Sequence, residues 1–484
     1  MSIQLGVNLG PSFADLCLID TTRPTLPLAY RRSYTPSESI TGSIHQFLLN
    51  NAQYKPEKAI VASSLLEKIL DTKLGGTVAQ VVTRGFENWA FLRQTLQHKY
   101  FELQPQRTEA LASQDLIFGI TERVNAFGEN LKDIDLSELE VITSKLKLMK
   151  AERVCVNFLF SGKNPTHQKE VTQYFVNNGF EVFSAPSQTE NLSSYQNEVA
   201  LEYADEILVW RKNLLNASLS GSFKEIRSEI ILGCEGFLTA EQIDFLDGDS
   251  SHFIEDNSRI ASSLFGPTRA LSDFYKNSSQ VLVLGLERWF ILKPKIRKTQ
   301  WLSPWGPLAG EVPDIQDLKI QPTSALIVDE YEQLNFSSEV LGFQPGPIIL
   351  GRALKPTLLD LLHLHNSHST QGIQAHTLEE ILPIIQTSGL AKFKDTLQAM
   401  LRNTSSANTK IETVIQDLVN FLIDQIGLHI LLERENPKSP VLCTGALAPM
   451  LIPHLKKRWA EINWELCPYS LEIDGLALAG RSSK

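Results

Sequence analysis

His363-Leu-His365-Asn-Ser-His368, with His376 beyond it, is the histidine-rich tract of this chain. Neutral imidazoles suit zinc or nickel, and alternate histidines would share a face on a strand. On a helix an i, i+5 pair would not share one, so the expected reading is a polar loop after a helix rather than a metal site. The five cysteines, at 17, 155, 234, 443 and 467, include no C-x-x-C pair. They therefore form neither a disulfide framework nor a zinc ribbon, and a reducing compartment is expected. Cys234, in Gly233-Cys-Glu-Gly236, would need a base to act as a nucleophile, and no histidine lies near it in sequence. It is expected to be a buried structural thiol.

The whole chain limits what such residues can serve. It has 484 residues, with 45 Lys and Arg against 55 Asp and Glu, a net charge of -10. That balance argues against broad nucleic-acid binding, which needs a basic face to displace counterions. The length suggests two to four domains, each with a sizeable core of its own. The opening Met-Ser-Ile-Gln-Leu-Gly-Val lacks the basic start and long apolar run of a signal peptide. No apolar run approaches the roughly 18 residues of a membrane span. A cytoplasmic protein, engaging neither membrane nor nucleic acid, is expected.

The elements that must position any site follow from periodicity. Ile3 to Leu9 and Phe13 to Asp20 read as two strands of a hairpin with Gly10-Pro11 at its tip. Ser39–Asn50 reads as a helix with apolar Ile40, Ile44, Phe47 and Leu48, and Leu65–Thr72 as another. Short buried strands are expected at Ala59–Ala62, Val78–Thr83, Arg153–Phe160, Phe180–Phe183, Glu229–Leu232 and Gln280–Leu284. Helices are expected at Leu136–Lys150 and Pro165–Asn178, and from 195 to about Leu215. The strand–helix–strand order around Pro165–Asn178 implies a parallel βαβ unit. A loop containing Pro and Trp is expected from about 294 to 323. Helices at about 377–388, 390–403, 410–433 and 447–458 follow, with a strand at Pro440–Thr444 and a turn at Gly445. The class is α/β.

Three stretches carry a resemblance. Val82-Thr-Arg-Gly-Phe-Glu-Asn, Thr121-Glu-Arg-Val-Asn-Ala-Phe-Gly128 and Asn164-Pro-Thr-His167 stand in this order. They resemble the T-[KR]-G-F-x-D, E-R-[VI]-x-x-x-G and N-P-x-H-E motifs of the hydantoinase A / 5-oxoprolinase family. Gly6-Val-Asn-Leu-Gly-Pro-Ser-Phe-Ala-Asp15 is similar to its G-I-D-x-G-G-T-F-T-D. Pro345-Gly-Pro347, Gly351-Arg352 and Pro356-Thr-Leu-Leu-Asp360 are similar to its P-G-P…G-R-G-G-x-P-T-x-T-D. The resemblance implies a two-lobed actin/Hsp70-like (ribonuclease H-like) fold with an interlobe cleft. It implies a first lobe over 1–190 and a second over 191–484, and ATP-dependent hydrolysis of cyclic amides such as hydantoins or 5-oxoproline.

By the same resemblance, Asn8, Gly10, Ser12, Asp15, Gly285 and Gly445 stand where the family contacts nucleotide. Glycine-rich turns of this kind turn backbone N–H groups toward phosphate, beside an acid that orders Mg²⁺. Here Asn8 replaces that acid, and Pro11 replaces a glycine and offers no N–H. Val283-Leu-Gly-Leu-Glu287 replaces the second phosphate loop and brings a carboxylate toward it. Mg-ATP is therefore expected to bind weakly or not at all. Two readings stand beside the hydrolase. One is a pseudo-enzyme that keeps the fold for binding. The other is a subunit of a heteromeric hydantoinase-like complex or a homo-oligomer. His167, at the start of a helix, is expected to be structural.

Overall fold

The computed structural model describes residues 2–22, 28–35, 38–63, 77–89, 112–184, 199–245, 280–303, 306–341, 346–351, 355–368, 385, 387–405, 407, 409–434 and 438–466. The helices expected at Leu65–Thr72 and, but for its end, at 377–388 lie outside them.

β1 (Ile3–Leu9) and β2 (Phe13–Asp20) form the antiparallel hairpin foreseen from the Gly10-Pro11 break. β3 (Ala29–Tyr34) pairs antiparallel with β2. α1 (Ile40–Asn50) starts at Ser39, whose hydroxyl accepts the Gly42 N–H. Its Ile44, Phe47 and Leu48 sit at helical spacing and are buried in one core with Leu5, Val7 and Leu16. β4 (Lys58–Ser63) then lies parallel to β1 on its other side.

An all-parallel sheet follows. β5 (Val78–Thr83), β6 (Ile117–Ile120), β9 (Arg153–Asn157) and β10 (Glu181–Phe183) stand in the order β10-β9-β5-β6. Between them β7 (Arg123–Val124) and β8 (Asn130–Lys132) make a small hairpin. α2 (Leu136–Leu148) and α3 (Thr166–Asn177) cover one face, with Leu139, Ile142, Val171 and Phe175 packed on Val81 and Val156. The other face is covered by α4 (Val199–Gly233) through Trp210, Leu214 and Ala217. The strand expected at Glu229–Leu232 is the end of α4. Ile226, Ile230 and Cys234, spaced by four, face the core that α1 faces, so the helical period decides the whole segment. β11 (Ile243–Phe245) returns the chain to the first sheet, parallel to β4.

The second half repeats the plan of the first sheet. β12 (Gln280–Leu284) and β13 (Trp289–Ser303) are antiparallel, β14 (Gly306–Asp317) pairs with β13, and β15 (Ser324–Val328) and β16 (Leu334–Val340) form a separate hairpin. α5 (Leu358–His368), α6 (Thr387–Leu401) and α7 (Ile411–Glu433) precede β17 (Val441–Thr444), which is parallel to β12. α8 (Ala448–Arg458) leads to β18 (Trp464–Leu466), parallel to β17. The orders β11-β4-β1-β2-β3 and β14-β13-β12-β17-β18 are the same pattern: an antiparallel three-strand start whose first strand then gains parallel neighbours.

The loop expected over 294–323 is instead mostly the β13–β14 hairpin. The prolines that suggested a loop are tolerated there. Pro294 lies at a register shift between Lys293 and Ile296, and Pro307 and Pro313 lie on the edge strand. α7 is apolar and long enough to cross a membrane by length and composition. Its Ile415, Val419, Leu422, Ile426 and Ile430 are buried in the core of the second half, packed with Leu361 and Leu451.

Candidate functional site

The tips of the two equivalent hairpins meet. At the first, Gly10 donates its N–H to the Phe13 carbonyl at 2.7 Å, which closes the turn. The Ser12 N–H points across the halves and donates to Glu287 Oε1 at 2.6 Å. Glu287 lies in the second tip, between β12 and β13. A Cβ on Gly10 would stand 2.1 Å from Glu287 Oε2, so only glycine admits this carboxyl. Phe13 is buried in the core of the second half with Leu284, Leu286 and Trp289, which fixes the approach.

Asp15 faces Asn8 across the register of the hairpin. Its carboxylate takes a bidentate pair from Arg32, Nε at 2.6 Å and Nη2 at 3.1 Å, and the Tyr30 hydroxyl at 2.9 Å. Arg32 stands opposite Asp15 in the β2–β3 register. Asn8 Oδ1 is buried and has no hydrogen-bond partner. Burial, and then the neighbouring charge of Asp15, push the Glu287 carboxyl up to about 8, against the opposing Ser12 N–H and Arg32. Near neutral pH it is therefore largely the neutral acid, not the charge that the sequence suggested.

Gly445 follows β17 with φ +98°, and its Cβ position lies 2.5 Å from the Leu284 carbonyl carbon and 2.8 Å from Gly285 N. Leu447 N–H donates to the Leu284 carbonyl, and the Trp289 indole N–H to the Gly285 carbonyl at 2.8 Å. Gly445 and Gly285 are thus packed against each other. Asn8, Gly10, Ser12 and Asp15 share the opposing hairpin, and Glu287 bridges the two groups.

These residues do not fit Mg-ATP as placed. The one amide of the first tip aimed across the halves already serves Glu287, the Gly10 amide closes its own turn, and Asp15 is taken by Arg32 and Tyr30. Tyr30 and Arg32 are partners that sequence reasoning missed. Only the register of β3 against β2 puts them beside a buried acid.

A second constellation lies at the carboxyl ends of the parallel strands. Thr83 ends β5, Glu122 follows β6, and His167 lies in the first turn of α3. Thr83 Oγ1 donates to Glu122 Oε1 and accepts the Leu159 N–H at 3.0 Å. Glu122 Oε2 meets His167 Nδ1 at 3.0 Å, and all three side chains are buried. The three motifs read separately in the sequence converge on one carboxylate. His167, expected to be structural, is buried against Glu122.

His363 and His365 are buried on α5, not in a loop. The apolar Leu358, Leu359, Leu361, Leu362 and Leu364 around them carry the helix through the tract. His365 Nε2 meets Gln416 Oε1 at 3.1 Å and its ring lies 5.1 Å from that of His454. Burial, then His365, hold His454 down to about 4. Among the described residues no group of three or more His, Cys, Asp or Glu could hold a metal ion. The side chain of His368 and all of His376 lie outside the described residues. Cys234 is a buried thiol as expected, and burial raises it to about 12.

Residues 4–179 match the model of the hydantoinase/oxoprolinase N-terminal region. The chain is 20% identical over 394 residues to the uncharacterized protein MJ0964 of Methanocaldococcus jannaschii, covering 74% of this chain and 56% of that one. It thus spans about half the length of that curated relative. Among solved structures it is similar to the ATP-dependent caprolactamase from Pseudomonas jessenii, with TM-score 0.69 and 15% identity over 98% of this chain and 70% of that one. It is also similar to a nucleotide-free acetone carboxylase, with TM-score 0.62 and 12% identity over 99% of this chain and 70% of that one. At such identities the likeness shows the fold, which is the two-lobed α/β fold expected.

Proposed function

Starting from a chain whose residues 4–179 belong to the hydantoinase/oxoprolinase N-terminal family, we propose that it is a non-catalytic member that keeps the fold for binding. The observation that carries this reading is the Glu287 carboxyl on the Ser12 amide. It takes the donor that a phosphate oxygen would need, and it fills the space that Gly10 leaves open. We propose further that the protein is cytoplasmic and serves as a subunit of a complex. The non-catalytic reading gives Asn8, Gly10, Ser12, Asp15, Gly285 and Gly445 the place of an ancestral nucleotide site. The pairing of β11 with β4 favours carrying the first lobe beyond residue 190, through 245.

The test is a calorimetric titration of the purified chain with Mg-ATP and with ADP. Dissociation constants in the millimolar range or no heat are expected. A micromolar constant, about −8 kcal/mol, would overturn the reading. A second reading, ATP-dependent opening of a cyclic amide, draws on the fold shared with the caprolactamase, on Gly10 and Ser12, and on the orphaned Asn8 oxygen. It requires Glu287 to leave the turn.

A further inference from the structure

We propose that the outward face of α7, with the groove it forms against the end of α8, is the contact surface for a second copy of this chain, the two α7 helices packing antiparallel about a two-fold axis near Gln425. The proposal is independent of the nucleotide reading. α7 is more apolar than one buried face requires. It is apolar enough to pass for a membrane span, yet only 50% of its most apolar window is buried inside the chain. A helix that is apolar on every side is one that is covered on every side. The uncovered residues form a row. Phe421, Leu428, Leu431 and Leu432 are exposed, Leu432 by 74%. Positions 417, 421, 424, 428 and 431 follow one another by four and three residues in turn, the spacing of a seam between two helices.

Beside this row lies a groove of about 410 Å³, lined by Asp424, Gln425, Leu428, Arg458, Trp459 and Glu461. Gly427 shapes it. A Cβ there would stand 2.1 Å from Trp459 Nε1, so only glycine lets the indole lie against α7. The acid within the seam is already neutralised. Asp424 Oδ1 accepts from Arg458 Nε and Oδ2 from Nη2, both at 2.8 Å, so covering the seam strands no lone charge there.

The seam is its own complement, which selects a second copy. Phe421 stands one turn before Gln425, and Leu428, Leu431 and Leu432 stand one to two turns after it. An antiparallel copy therefore sets each Phe421 against the leucines of the other, an isologous contact. The charges match in the same arrangement. Asp417 is exposed two turns before Gln425, and Arg434 and the exposed Lys438 lie just past the end of α7. Antiparallel packing brings each Asp417 toward that basic end, and the helix dipoles favour it as well. A membrane fits this face less well, because Asp417, Asp424 and Gln425 stand in the row and the chain carries a net charge of -10.

The experiment is sedimentation velocity of the full chain over a dilution series, joined to crosslinking. A dimer that dissociates on dilution is expected. Leu428→Glu and Leu432→Glu are each expected to raise its dissociation constant at least tenfold, with far-UV circular dichroism unchanged. A short bismaleimide is expected to join copies of Gln425→Cys above the background of the parent, whose Cys17, Cys155, Cys234 and Cys443 are buried. It is not expected to join copies of Asp417→Cys, which stand about 24 Å apart in an antiparallel pair. A monomer at every concentration overturns the proposal. So does a dimer indifferent to both glutamates, or Asp417→Cys joining as readily as Gln425→Cys, the mark of a parallel pair. Cosedimentation with phosphatidylcholine–phosphatidylglycerol vesicles that Leu428→Glu abolishes would assign the face to a membrane, and would equally overturn it.

Discussion

The Ser12 amide of the first hairpin tip donates to the Glu287 carboxyl of the second, at 2.6 Å across the two halves of the chain. One contact therefore both ties the halves together and fills the turn where an anion would sit. Removing it is expected to change affinity for nucleotide more than stability. In the triple variant Asn8→Asp, Pro11→Gly, Glu287→Thr, an acid is returned beside the turn, a backbone donor is restored and the obstruction is removed. Each such change at a desolvated site is worth about 1–3 kcal/mol. Calorimetry is expected to find Mg-ATP bound roughly 100-fold or more tightly than by the parent. A well-folded triple variant with parental affinity would refute an ancestral phosphate site here.

Glu287 also sets a pH dependence. In the folded chain it keeps its proton to about pH 8, against an ordinary value of 4.5. Between those values the native state binds more protons than the unfolded state, so stability falls as pH rises. Below about 4.5 the contribution vanishes, and above about 8 the full penalty is reached. At about 1.4 kcal/mol per unit, the effect amounts to a few kcal/mol. Melting temperatures across pH 4–9 are expected to fall less steeply for Glu287→Gln than for the parent. Superimposable slopes would remove Glu287 as their source.

Two of the glycines at positive φ, Gly85 and Gly445, differ in what surrounds them. Gly445 has φ +98° with the Leu284 carbonyl carbon 2.5 Å from its Cβ position, whereas Gly85 has φ +94° and nothing within 4 Å. Gly85→Ala is expected to cost about 1 kcal/mol, the strain of the left-handed conformation alone. Gly445→Ala adds a backbone clash and is expected to abolish soluble folded protein or lower the melting temperature far more. Expression and thermal melting of the pair compare them directly.

Thr83 serves both the Leu159 amide and the Glu122 carboxylate. Thr83→Val keeps the shape but orphans both partners, at about 1–3 kcal/mol for each buried group. Thr83→Ser keeps the hydroxyl and is expected to lose much less. Urea unfolding of the two variants is the check, and equal losses would reduce the network to packing alone.

Asp360 braces the chain before α5. It accepts the N–H groups of Ile348, Ile349 and Thr357 and the Thr357 hydroxyl, and burial raises it to about 6. Asp360→Ala leaves three buried amides without an acceptor and is expected to destabilise by about 3 kcal/mol or more. Chemical denaturation reads the loss.

Much of the fold was legible in the sequence because the signals were local. The Gly10-Pro11 break between two apolar runs is sufficient to mark a hairpin, and Ser39 ahead of Ile40, Ile44, Phe47 and Leu48 marks a helix start. Where local signals conflict, context decided. Glu229–Leu232 has the composition of a strand but continues α4, because Ile226, Ile230 and Cys234 have a core to face. Pro294, Pro307 and Pro313 suggest a loop, but the bulge and the edge of β13–β14 accept residues that cannot donate.

The chemistry divides in the same way. The sequence alone determined which groups are present: an amide where an acid is expected at 8, a missing donor at 11, an extra carboxyl at 287, and three ordered motifs ending in His167. Only the tertiary structure decided what these groups meet. It brought Glu287 onto the Ser12 amide, matched Arg32 with Asp15, and gathered Thr83 and His167 on the Glu122 carboxylate. Those outcomes depend on strand register and on contacts between residues up to 275 positions apart. Such contacts form when apolar faces exclude water, and periodicity encodes the faces but not their partners.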